Sequence, residues 1–102
     1  MTLEEEMKLW EERANDKAGK LIDFAYKETK DIIYSYTDEF GIEHNPIKSV
    51  SAMYALDGNI KHSIKELKNI LYNYDICNFE NVEYSNNPEL ANKIVEFEKS
   101  LN

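Results

Sequence analysis

The feature that most constrains this chain is the spacing of its apolar residues between Leu3 and Tyr36. Leu3, Met7, Trp10, Ala14, Ala18, Leu21, Ala25, Ile32 and Tyr36 recur by threes and fours, with one gap of seven. At 100° per residue they fall on one arc, as an amphipathic helix requires. Thr2, followed three residues later by Glu5, forms a capping box, and Gly41 is a natural C-terminal stop. The pattern therefore predicts one helix from about Leu3 to Phe40. Such a helix is about 55 Å long, too long for a monomer of this size to cover without folding back. Gly19 inside it costs about 1 kcal/mol against Ala and marks the place for a bend.

The rest of the chain divides at its Asn-Pro steps. Asn45 as N-cap with Pro46 at the first helical position starts a second helix, with Ile47, Val50, Met53 and Tyr54 on one face. Asp57-Gly58-Asn59 interrupts, and Ile60, Ile64, Leu67, Leu71 and Tyr74 make a second stripe rotated by about 80° from the first. A turn signal coincident with a phase slip predicts two helices or a sharp kink. Residues 76–85 read as a loop packed by Cys77, Phe79, Val82 and Tyr84, in preference to a lone strand. Asn87-Pro88 opens a last short helix carrying Leu90, Ala91, Ile94, Phe97 and Leu101. The expected fold is all-α: one domain over 1–102, a small helical bundle built on a long N-terminal helix, a broken second helix and a short C-terminal helix.

Composition removes several functional classes. With 42% hydrophobic residues and 12% aromatics, the chain is apolar enough for a core and too aromatic for disorder. Its apolar runs fall far short of the ~20 residues that span a bilayer. The acidic start Thr2-Leu3-Glu4-Glu5-Glu6 is unlike a signal peptide, and a single cysteine suits a reducing compartment, so the expected location is the cytoplasm. Twenty acids against twelve Lys and Arg give a formal charge of -8, which disfavours direct contact with nucleic acid or an anionic membrane. The acids gather at the ends: 1–40 carry 11 acids and 6 bases, 41–75 carry 4 and 4, and 76–102 carry 5 and 2.

On a continuous helix Glu5, Glu12, Asp16 and Asp23 project within about 40° of one another, opposite the apolar arc. Their axial separations are about 10.5, 6 and 10.5 Å. Such a column imitates a run of phosphates and would decoy a protein that grips nucleic acid with Lys and Arg. The plainer reading is a solvated face with the i,i+4 pairs Glu4–Lys8, Asp16–Lys20 and Asp23–Lys27. Lys61, Lys65 and Lys68, beside His62 and Asn69, form a basic face that would complement the acidic first helix. Tyr34, Tyr36, Tyr72, Tyr74, Phe79 and Tyr84 gather at one end if the long helices pair antiparallel, either as core or as interface. Met7 and Trp10 extend an apolar face that a monomer leaves uncovered, which favours a dimer or a docking groove.

Chemistry finds little support. MazG-type nucleotide pyrophosphohydrolases hold magnesium with paired Glu-x-x-Glu and Glu-x-x-Asp ligands. Glu28-Thr29-Lys30-Asp31 matches the second half, and no Glu ahead of it is followed three positions on by another Glu. His62 and Glu66 lack a third metal ligand, His44 lies in a separate connector, and Cys77 reads as a small core residue. No cofactor, metal or catalytic residue is expected. In size, acidity and a composition suggestive of AT-rich coding DNA, the chain resembles phage-encoded anti-defence proteins, including anti-CRISPR inhibitors and DNA mimics that block restriction. That likeness is one of composition and assigns no residue a role. It implies a non-enzymatic inhibitor that docks on a larger protein, a nucleic-acid-binding defence protein being the natural target. The expected contacts are Glu5, Glu12, Asp16 and Asp23 for charge, and Trp10, Tyr34, Tyr36 and Phe40 for anchorage. The alternatives are a self-assembling homodimer and the metal-dependent hydrolase.

Overall fold

The structure is a computed structural model and describes residues 2–101. Its helices are α1 (Leu3–Asn15), α2 (Lys17–Thr29), α3 (Pro46–Asp57), α4 (Ile60–Asn73) and α5 (Pro88–Ser100). Between α2 and α3 the strands β1 (Tyr36–Thr37) and β2 (Glu43–His44) pair antiparallel, with Tyr36 opposite His44. The all-α expectation holds, with this small hairpin as the one departure among the described residues.

The continuous helix over 3–40 is corrected in two places. The first break falls at Asp16, three residues before the expected bend. Asp16 has extended backbone, and its carboxylate accepts the Gly19 N–H at 2.8 Å, so it acts as the N-cap of α2. Gly19 is required by the break. A Cβ there would lie 2.9 Å from the Ala14 Cα and well inside contact with the Arg13 carbonyl oxygen, so only glycine lets the end of α1 fold onto α2. The second correction is that α2 stops at Thr29. Ile32, Ile33, Tyr34, Tyr36 and Thr37 are β-branched or aromatic, and they feed the hairpin instead of a helix. Gly41, with φ +78°, serves the hairpin turn and not a helix end.

The remaining boundaries follow local chemistry. Asn45 Oδ1 accepts the Ile47 and Lys48 amides and caps α3, with Pro46 in the first turn. Gly58 closes α3 in the left-handed conformation at φ +67°, and Asn59 caps α4 through the His62 amide. Asn87 does the same for α5 through Leu90. Residues 76–85 form the expected loop, carrying one 3-10 turn at Val82–Tyr84. Ser85 and Asn78 tie it together, and the Ile76 and Cys77 amides donate to the Leu71 carbonyl.

The core joins α2 through α5. Ile22 and Ala25 meet Ile47, Val50 and Tyr54 of α3, Ile64, Leu67 and Leu71 of α4, and Leu90, Ala91 and Ile94 of α5, with Ile33, Ile76 and Cys77 closing the ends. Each fully buried Leu or Ile contributes about 1.5–3 kcal/mol. Helix α1 stands apart, because none of its residues is buried. The molecule is a slab of 45 × 38 × 17 Å, and a slab that thin cannot cover every apolar side chain it carries. Lys68, expected to face the acidic first helix, pairs instead with Glu98 of α5 at 2.8 Å and lies over the Phe79 ring.

Candidate functional site

Helix α1 is held by polar contacts. The Arg13 guanidinium donates to the Tyr54 and Ala55 carbonyls at the C-terminal end of α3, where the last carbonyls and the helix dipole favour a cation. The Tyr54 hydroxyl donates to the free oxygen of Asp16. Burial and then that carboxylate push the Tyr54 phenol up to about 12. Arg13 and Asp16 thus lock the α1–α2 corner onto α3.

What this lock leaves open is apolar. Leu3, Met7, Leu9 and Trp10 of α1 and Ala55 and Leu56 of α3 line a groove of about 630 Å³, with Glu6 and Glu11 on its rim. Leu3 is 72% exposed, Met7 58%, Trp10 47% and Leu56 69%. Behind Trp10 a second cleft of about 400 Å³ runs between α1, α2 and α3 to Tyr26 and Lys48. The helix itself carries five acids against two bases, and Arg13 is already committed to α3.

A second exposed patch lies on the hairpin. Tyr34 and Tyr36 pack with ring centroids 6.1 Å apart, and Tyr36 stacks on His44 at 4.7 Å. Phe40 and Ile42 are exposed beside them. Asp38 organises the turn. One of its oxygens accepts the Phe40 and Ile42 amides at 2.9 and 3.0 Å, and the other meets His44 Nε2 at 2.8 Å. The His44 contact, then these amides, hold its carboxyl below the usual value. Glu43 anchors the hairpin to the bundle: it accepts from the Tyr26 hydroxyl at 2.5 Å and pairs with Lys48 at 3.2 Å. Those two partners lower the Glu43 carboxyl, and Glu43 in turn raises the Tyr26 hydroxyl and the Lys48 ammonium.

The expected contact residues are therefore distributed, not assembled. Glu5 and Glu12 are exposed on α1 and make no ion pair among the described residues. By helical phase they lie about 180° from Leu3, Met7 and Trp10. The break removes Asp16 from any common column and engages both its oxygens, while Asp23 pairs with Lys27 at 3.0 Å. Tyr34, Tyr36 and Phe40 belong to the hairpin patch and Trp10 to the groove. Glu28 lies in α2 and Asp31 beyond its end, so they do not share a helical turn. Among the described residues no three His, Cys, Asp or Glu side chains gather where they could hold a metal ion, and no helix is long and apolar enough to cross a membrane. Arg13 and Leu56 carry these surfaces without any signal in the spacing of the sequence, because each acts across the fold, whereas Ile42 and the Asp38–His44 pair act within the hairpin that the helical spacing concealed. No family model, curated protein or solved structure matches the chain.

Proposed function

We propose that this is a non-enzymatic binding protein that docks on a larger protein through the apolar groove of α1. One observation carries the reading: a whole helix contributes nothing to the core, yet presents Leu3, Met7 and Trp10 beside Leu56. Exposing such a contiguous stripe is costly for a monomer and is characteristic of a contact surface. The occupant that fits is an apolar segment of a partner flanked by Lys or Arg, facing Glu6 and Glu11 on the rim. A second copy of α1 fits less well, since it would bring five acids against five. In its finer form the reading is a phage-type anti-defence inhibitor, with Glu5 and Glu12 covering the nucleic-acid-binding surface of the same target. Contact through both faces of α1 then requires a partner that wraps the helix.

The test compares captures from a low-GC bacterial lysate by the tagged wild type, Met7→Glu and Glu5→Lys/Glu12→Lys. All three positions are exposed, so the variants retain the fold. A protein held through a high-salt wash by the wild type and lost by Met7→Glu supports docking in the groove. Loss on Glu5→Lys/Glu12→Lys as well supports the masking form. Equal capture by all three, or a doubled mass with nothing else bound, refutes the reading.

A further inference from the structure

We infer that the β1–β2 hairpin binds an arginine side chain of a protein partner, with Tyr34, Tyr36 and His44 as a stacking platform. The inference rests on the reading that the chain acts by docking on a protein, and adds a second contact and its side-chain chemistry. The three rings form a continuous row: the Tyr36 and His44 planes are within 14° of parallel, and Tyr34 leans on Tyr36 at 31°. Tyr34 is 73% and Tyr36 52% exposed, so much of the row is open to a ligand even with one face of Tyr36 stacked on His44. The row is also arranged in advance. Asp38 pins the His44 ring, the Phe40 and Ile42 amides pin Asp38, and Glu43 ties the strand to Tyr26 and Lys48. A platform already ordered loses little entropy when a ligand arrives.

Flat, open rings in a row suit two kinds of visitor, a nucleobase or a guanidinium. Charge decides between them. From Asp31 to His44 the chain holds four carboxylates and no Lys or Arg, against Lys30 and Lys48 which act on Glu43 from outside it, within a protein of net charge -8. Glu43 is neutralised by Lys48, whereas Asp31 and Glu39 are exposed and make no ion pair among the described residues. Phosphates are repelled from this surface and cations are drawn to it. Among cations, arginine stacks its plane on tyrosine and still offers its N–H edge to a carboxylate, while the ammonium of lysine is compact and more strongly hydrated.

The experiment titrates the ¹⁵N-labelled full chain with three probes: a short Arg-Gly peptide, the same peptide with Lys for Arg, and a short oligothymidylate. The expected result is saturable shifts at Tyr34, Tyr36 and His44 with the Arg peptide, about threefold to tenfold tighter than with the Lys peptide. Tyr34→Ala/Tyr36→Ala abolishes those shifts while the core signals of Val50 and Leu67 stay in place. Equal affinity for both peptides, tighter binding of the oligothymidylate at the same rings, or no hairpin shift at millimolar peptide overturns the assignment. Capture that depends on Met7 reads the groove separately. Its survival beside a negative titration removes the arginine contact alone, whereas its failure removes the docking reading.

Discussion

Substitution of Gly19 by alanine sets local preference directly against tertiary geometry. Within a helix the change is favourable by about 1 kcal/mol, because Ala loses less backbone entropy than Gly. In this fold the added Cβ meets backbone, lying 2.9 Å from the Ala14 Cα and driven into the Arg13 carbonyl oxygen. Backbone cannot rotate aside as a side chain can, so the α1–α2 corner must open. Opening it draws Arg13 off the α3 carbonyls and Asp16 off Tyr54, the contacts that hold α1. Forced overpacking costs about 1–3 kcal/mol, and a collision with main chain belongs at the top of that range. Net of the helix gain, Gly19→Ala is expected to destabilise by about 2 kcal/mol. For a domain near 100 residues that lowers Tm by about 8–16 °C. Urea and thermal melts followed by far-UV circular dichroism measure it directly. A Tm equal to or above the wild-type value would show that no close approach of α1 to α2 exists at Gly19 and that the corner is not built this way.

Two further outcomes follow from titratable groups. The Tyr54 phenol is raised to about 12 by burial and by Asp16, against about 10 in the unfolded chain. Its contribution is whole below pH 10 and is lost as pH rises from 10 to 12, amounting to about 2–3 kcal/mol. Wild type and Tyr54→Phe should therefore differ in alkaline denaturation across that interval, and parallel curves would contradict the Tyr54–Asp16 contact. Cys77 is 2% exposed, and burial raises its thiol to about 11. At pH 8 its alkylation should proceed only through unfolding and accelerate with urea in step with the fraction unfolded; fast modification of the folded protein would contradict its place in the core.

The parts of the fold that could be read from the sequence are those whose cause is local. Asn45-Pro46, Gly58-Asn59 and Asn87-Pro88 each combine a side-chain cap or a left-handed residue with the neighbouring helix, and all three boundaries stand where that chemistry puts them. The break at Asp16 was hidden because Ala14, Ala18 and Leu21 keep helical phase across it. Periodicity reports which way side chains point, not whether the backbone between them is continuous. The hairpin was hidden in a similar way, with Ile32 and Tyr36 at helical spacing. The density of β-branched and aromatic residues from Ile32 to Thr37, ahead of an Asp-to-Gly turn, was the available signal. The acidic column depended on a straight helix and dissolved with it. The apolar stripe of Leu3, Met7 and Trp10 needed only one intact helix, and so it survives.

That α1 buries nothing separates two tasks which most small proteins must perform with the same residues. Substitutions at Leu3, Glu6, Met7 or Glu11 meet little resistance from the core, so the surface they form can be rewritten while α2 through α5 keep folding as before. The constrained part of α1 is its last turn, where Arg13 grips α3, together with the Asp16 and Gly19 that follow. Exchanging the residues ahead of that turn accordingly gives α1 a new surface on an unchanged bundle.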